Sequence, residues 1–176
     1  MKVLYLAGAD KICREAAHDL VQFSDFQNIT IADYNGKAGR EVVKWLNDPR
    51  FDFKKVDVNS KKQTVNLMRQ YHIVMDGTTI SLNDRSTACI AQARCHGINL
   101  NGFGEEYKYD RQFKEHEKTH VPGVGMTPGT TNVLARYGAD QMDRVDEIFI
   151  SHGAFRAIAH SPWLASTTFL EYDPDL

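Results

Sequence analysis

The sequence lacks most of the features that assign a protein to a specialised class. No stretch of its 176 residues approaches the run of about 18 apolar residues that crosses a bilayer, so no membrane partner is expected. Neither sign of charge is in excess. Lysine and arginine number 21 against 23 acids, for a formal net charge of −2, which argues against a nucleic-acid binder and against an acidic disordered tail. Cysteine is scarce: Cys13, Cys89 and Cys95 make an odd set without the spacing of a disulfide framework, so a reducing, cytoplasmic setting is expected. No repeat, low-complexity run or cleavable signal pattern is present. What remains is ordinary globular composition, 42% hydrophobic and 25% charged. A chain of this length buries about two-thirds of its unfolded surface.

Strand-like and helix-like patterns alternate from the start. Short apolar strands are read at Val3–Ala7, Asn28–Asp33, Phe53–Val58, His72–Asp76, Ile98–Asn101 and Val121–Val124. Helices are read between them at Ile12–Phe23, Lys37–Leu46, Ser60–Tyr71, Asp84–His96 and Asp110–Thr119. Strands of this length separated by helices of 10–15 residues mark right-handed βαβ units. The expected fold is therefore α/β, a Rossmann-like, doubly wound and mainly parallel sheet of about six strands spanning residues 1–130. Residues 131–176 read as a linker helix (Thr131–Met142), a strand (Val145–Ser151) and the incomplete start of a second domain.

In a nucleotide-binding βαβ unit the first strand runs into G-x-G-x-x-G: one glycine for the tight turn, one for pyrophosphate approach, one for helix–strand packing. Here the segment is Gly8-Ala9-Asp10-Lys11-Ile12-Cys13. Only the first glycine is kept. Asp10 would set a carboxylate against a cofactor pyrophosphate, or else cap the helix itself. Cys13 reads as a small buried hydrophobe. Asp33, 25 residues beyond Gly8, ends the second strand where an acid accepts from a ribose hydroxyl.

The wider pattern resembles the saccharopine dehydrogenase-like family, including its lysine 6-dehydrogenase branch. The stretches that carry the resemblance are Lys2–Leu6, Arg14–Leu20, Ile31–Asp33 and Val56–Val58. To these are added Gly125-Met126-Thr127-Pro128-Gly129-Thr130-Thr131-Asn132, Ser161-Pro162 and Phe169–Tyr172. The resemblance implies an N-terminal domain that binds NAD or NADP, with oxidation or formation of C–N bonds in small amino-acid-type substrates. It implies cofactor contacts at Gly8, Ala9, Asp10, Lys11 and Ile12 for the pyrophosphate. Asp33, Tyr34 and Asn35 would hold the adenosine ribose, Asp57 and Val58 the adenine, and Gly77, Thr78 and Thr79 the nicotinamide side. The acid at 33 favours NAD; Lys37 and Arg40 close by weaken that preference.

This chain departs from the family pattern at Asp10 and Cys13, and also at Gly102, Glu105 and Thr127, the last standing where many members place an acid before Pro-Gly. No catalytic acid or base is assigned. Substrate-side groups would come from a second domain, a further copy of the chain in a homo-oligomer, or a partner chain, so the isolated chain is expected to be incomplete or impaired as an enzyme. The alternative is a cofactor-free binding or assembly module whose phosphate site Asp10 and Cys13 have closed.

His116-Glu117-Lys118-Thr119-His120 matches H-E-x-x-H, but a zinc site needs both histidines on one face of a continuous helix. Val121-Pro122 follows at once and places His120 at or past the helix end. No metal is therefore expected. Cys89, Cys95 and His96 read as core, and His152 and His160 as surface or hinge residues.

Overall fold

The computed structural model describes residues 1–102 and 105–151. Six strands form one sheet in the spatial order β3-β2-β1-β4-β5-β6, and every neighbouring pair is parallel. They are β1 (Lys2–Leu6), β2 (Asn28–Asp33), β3 (Phe51–Lys55), β4 (Ile73–Asp76), β5 (His96–Asn99) and β6 (His120–Val121). The intervening helices are α1 (Lys11–Phe23), α2 (Gly36–Leu46), α3 (Lys61–Met68), α4 (Ile80–Ala93) and α5 (Asp110–Glu115), and α6 (Thr130–Ala139) follows β6. A short 3-10 helix, Glu105–Tyr109, leads into α5.

The winding follows from β1. Val3, Leu4, Tyr5 and Leu6 are all buried, because successive side chains point to opposite faces and both faces are covered. Val3 and Tyr5 join Cys13, Ala17, Val42 and Leu46 from α1 and α2. Leu4 and Leu6 join Val65, Met68, Ile90 and Phe113 from α3, α4 and α5. Strand order reverses at β1, with β2 on one side and β4 on the other. That switch point opens a crevice at the carboxyl ends of the strands.

Several boundaries differ from the sequence reading. The third strand begins two residues early and ends at Lys55, because its ladder is set by β2, whose Asp33 pairs with Lys55. Val56 and Val58 lie beyond the ladder and pack into the α3–α4 side of the core. Helix α4 begins at Ile80, not Asp84; Asn83 is mid-helix and buried, held by side-chain bonds to Glu106 and Asn99. Strand β5 begins at His96 and ends at Asn99, and β6 is reduced to His120–Val121. Helices α3, α5 and α6 stop three or four residues before their expected ends.

After β6 the chain closes a tight loop in which Gly125 N–H donates to Pro128 O (2.9 Å) and Thr130 N–H to Gly125 O (2.8 Å). Gly129, at φ +128°, is required there: a Cβ would stand 2.1 Å from Gly125 O. Helix α6 then buries none of its residues, leaving Val133, Leu134 and Tyr137 exposed. The strand expected at Val145–Ser151 does not form. Alternating residues become a strand only where a neighbour supplies hydrogen-bond partners, and no strand lies beside this segment among the described residues. His152, His160 and the later motif residues lie outside the described residues.

Candidate functional site

Three acids gather at the switch point, Asp33 and Asp76 closing β2 and β4 and Asp10 capping α1. The β1–α1 turn comes first. Ala7 takes a left-handed φ of 54°, and Gly8 sits so close to β1 and β2 that a Cβ would lie 3.1 Å from Tyr5 O and 3.2 Å from the Ile31 side chain. Asp10 is extended (φ −69°, ψ 157°) and caps α1, its carboxylate accepting from Ile12 N–H at 3.3 Å. Among the two roles weighed for Asp10, the structure shows the cap, on an amide that in this type of turn receives a phosphate oxygen.

Cys13 is buried, and the close approach that a third glycine would provide has moved across the crevice to Gly77. A Cβ on Gly77 would lie 2.2 Å from Cys13 Sγ. Burial pushes the Cys13 thiol up to about 12; Asp10, Asp76 and Asp33 push the same way, against a hydrogen bond from Tyr5. The thiol is protonated at neutral pH and acts as packing.

Asp33 ends β2 and is buried, the residue as a whole 8% exposed. One oxygen accepts from Ala9 N–H (3.3 Å) and the other from Asn35 N–H (2.8 Å), so this side chain ties the first turn to the second. Burial raises its pKa above the usual carboxylate range, opposed by those amides. Asn35 caps α2 through Lys37 N–H and Ala38 N–H, and Tyr34 is exposed. Asp57 accepts from Asn59 N–H at 2.9 Å and stays exposed, whereas Val58 is buried in the core. Lys11 and Ile12 are exposed on the first turn of α1.

On the far side of β1, Gly77 N–H donates to Leu6 O at 3.0 Å. Thr78 is buried, and Thr79 is the residue before α4. Sequence reasoning missed the group beneath them. Asp76 is 2% exposed, accepts from Thr78 N–H at 2.9 Å and receives the Ser86 hydroxyl. Burial raises its pKa, opposed by those two partners. A second polar chain runs alongside: Asn99 donates to Asn83 (2.7 Å), which donates to Glu106. The available signal was an acid closing a buried apolar strand, the same pattern that singled out Asp33.

Gly102 touches the β6 loop, where a Cβ would come within 2.8 Å of Gly123 Cα, and Thr127 is exposed. His116 is the residue after α5 and His120 opens β6, so the two histidines share no helix. Among the described residues no three His, Cys, Asp or Glu side chains are grouped to hold a metal ion, and no helix is long and apolar enough to cross a membrane.

A parallel sheet in this order, with a glycine-led turn on its central strand and an acid closing the next, defines a Rossmann-type dinucleotide-binding domain. The chain belongs to the saccharopine dehydrogenase family: residues 4–124 match the model described as the saccharopine dehydrogenase NADP binding domain. Among solved structures it is similar to apo saccharopine dehydrogenase (L-Glu forming) from Saccharomyces cerevisiae. Identity there is 13% and the TM-score 0.68, over 80% of this chain and 31% of the yeast chain. It also resembles isoflavone reductase, with 14% identity and a TM-score of 0.50 over 69% and 48% of the two chains. A third likeness is AtPrR2 with NADP+ and (+)-pinoresinol, at 10% identity and TM-score 0.52 over 68% and 47%. The chain thus spans about a third of the yeast enzyme's length.

Proposed function

We propose that this chain is the cofactor-carrying part of an oxidoreductase acting on C–N bonds of small amino-acid-type substrates. The observation that carries the reading is the match of residues 4–124 to an NADP-binding domain family, laid over a sheet whose switch point presents Gly8, Asp33 and Gly77 together. The backbone of Gly8, Ala9, Lys11 and Ile12 would face the pyrophosphate, with Asp10 moving off the Ile12 amide. Asp33, Tyr34 and Asn35 would border the ribose, Asp57 and Val58 the adenine, and Gly77–Thr79 the nicotinamide. The cofactor supplies hydride chemistry; the protein supplies orientation and electrostatics. Groups that recognise the amino-acid substrate come from outside the crevice described here, from residues 131–176, a second copy or a partner chain.

Calorimetric titration with NAD+ and NADP+ tests this reading. Micromolar or weaker saturable binding is expected, and no heat at millimolar cofactor would remove it. The cap made by Asp10 on Ile12 favours a second reading, a cofactor-free assembly module. If restoring glycine at positions 10 and 13 yields no dinucleotide binding, the module reading stands.

A further inference from the structure

We propose that this chain carries a second ligand site, on the edge of the sheet opposite the crevice: a cleft in which Arg69 and Arg94 bind the phosphate group of a small organic phosphate ester. The cleft measures about 620 Å³ and is lined by Arg69, Gln92, Ala93, Arg94, Gln112 and His116. Its cations and imidazole come from three helix ends. Arg69 is the residue after α3, Arg94 the residue after α4 and His116 the residue after α5. In a parallel sheet each crossover helix ends where the next strand begins, so all three stand at the amino edge, ahead of β4, β5 and β6. The four residues of β4 set that edge about 13 Å from the carboxyl edge.

No carboxylate lines the cleft. Of the acids beside His116 in sequence, Glu115 pairs with Arg111 and Glu117 stands outside the lining. Among the described residues, the side chains of Arg69, Arg94, Gln92, Gln112 and His116 make no hydrogen bond or ion pair. Cations at helix C-termini also answer the helix dipole, but each end offers at most about half an elementary charge. Three such ends leave two guanidiniums incompletely neutralised. Arg94 moreover occupies a left-handed backbone, φ 62°, at the position after a helix that glycine usually fills. A Cβ there costs conformational energy, and no hydrogen bond or ion pair of the arginine within the described residues offsets it.

Donors that converge from three helices suit a tetrahedral group. A phosphate monoester carries a charge of about −2 and three strong acceptor oxygens. One arginine fork can take two of them side by side and the second guanidinium the third. The Gln92 and Gln112 amides and the His116 imidazole supply further donors. A carboxylate is flat and singly charged; it satisfies one fork and leaves the other unanswered. The cleft exceeds the size of a phosphate ion, which leaves room for the organic part of an ester.

The test is titration of the 176-residue chain with glycerol 3-phosphate and with succinate at matched ionic strength, followed by calorimetry and backbone amide resonances. Glycerol 3-phosphate is expected to bind saturably with millimolar or tighter affinity and to shift the amides of Arg69, Arg94 and His116, whether or not NADP+ is present. Succinate should bind about tenfold more weakly or worse. Arg94→Gly removes the guanidinium while suiting the left-handed backbone. It should hold or raise the melting temperature and weaken glycerol 3-phosphate binding about tenfold or more, the size of a charge-assisted contact. Arg69→Gln should weaken it likewise. No saturable binding of glycerol 3-phosphate, succinate binding as tightly, or full affinity in Arg94→Gly would overturn the site. Shifts confined to Gly8–Ile12 would put the anion at the first turn and overturn the site too, leaving the dinucleotide reading intact. Failure of NADP+ to bind would count against that reading alone.

Discussion

If the crevice holds a dinucleotide as proposed, Asp10 is the residue expected to limit its affinity, and two substitutions separate what its carboxylate does. As the cap of α1 it satisfies Ile12 N–H, and no other acid lies in the first turn. Replacing it by glycine loses a few tenths of a kcal/mol of capping and about 0.3–1 kcal/mol of favourable charge at the helix N-terminus. The helix should weaken by roughly 1 kcal/mol in all. On the ligand side, a carboxylate and a phosphate about 5 Å apart repel by roughly 3 kcal/mol at an effective dielectric constant near 20. Partial exposure and salt reduce that to about 1–2 kcal/mol. Asp10→Gly is therefore expected to tighten dinucleotide binding about tenfold, and to lower the melting temperature by a few degrees. Asp10→Asn keeps an acceptor for Ile12 N–H without the charge, so it should gain most of the affinity and lose little stability. Calorimetry reads the affinity and thermal denaturation the cap. If neither variant tightens binding, repulsion at this turn is not what limits the cofactor and the reasoning fails. A gain in Asp10→Gly alone would assign the effect to bulk instead of charge. The single change is cleaner than a double reversion, because Cys13 fills the space facing Gly77 and its loss opens a void.

Three further outcomes follow from groups that hold the fold. Arg50 donates to Leu20, Val21, Ser24 and Phe26 carbonyls at the end of α1 while paired to Asp48; Arg50→Ala should lower the melting temperature by several degrees, and Arg50→Lys should not restore it, since one ammonium cannot reproduce the fork. Burial lowers the pKa of His120, stacked on Phe113; the unfolded chain then takes up the proton first, so stability present above 6.5 is lost as pH falls, and His120→Gln should flatten the melting curve between roughly pH 7.5 and 5.5. Asp76 has the opposite sign: its raised pKa means the folded form takes up the proton first, a contribution present below 3.8 and lost as pH rises. Asp76→Asn, which keeps an acceptor for Thr78 N–H, should therefore raise the melting temperature at neutral pH; a fall would show that the ionised form is needed for the fold.

The sheet was legible because its central strands are buried on both faces, which leaves unbroken apolar runs such as Val3–Leu6 that no amphipathic helix produces. The acid of β2 was legible for a related reason, as a charged residue closing such a run. Lys55 was not. Its place opposite Asp33 is a fact of register, and the apolar pattern sets the third strand two to three residues too late because Val56 and Val58, though buried, lie past the ladder. Asn83 was hidden as well: a polar residue beside Asp84 reads as a helix start, and only the fold brings Asn99 and Glu106 to it. Val145–Ser151 failed in the other direction, since alternation describes a side-chain pattern and says nothing of a neighbour to pair with. At the first turn the sequence leaves two roles open for Asp10, and the structure shows the capping one through Ile12 N–H.

The central claim is that the carboxyl edge around β1 holds a dinucleotide. Titrating the isotope-labelled chain with NADP+ to millimolar concentration, while following backbone amide resonances, tests it most directly. The account predicts saturable shifts at Gly8 to Ile12, at Tyr34 to Lys37 and at Gly77 to Thr79. Flat resonances at saturating cofactor, or shifts confined to surfaces away from those three turns, would contradict it.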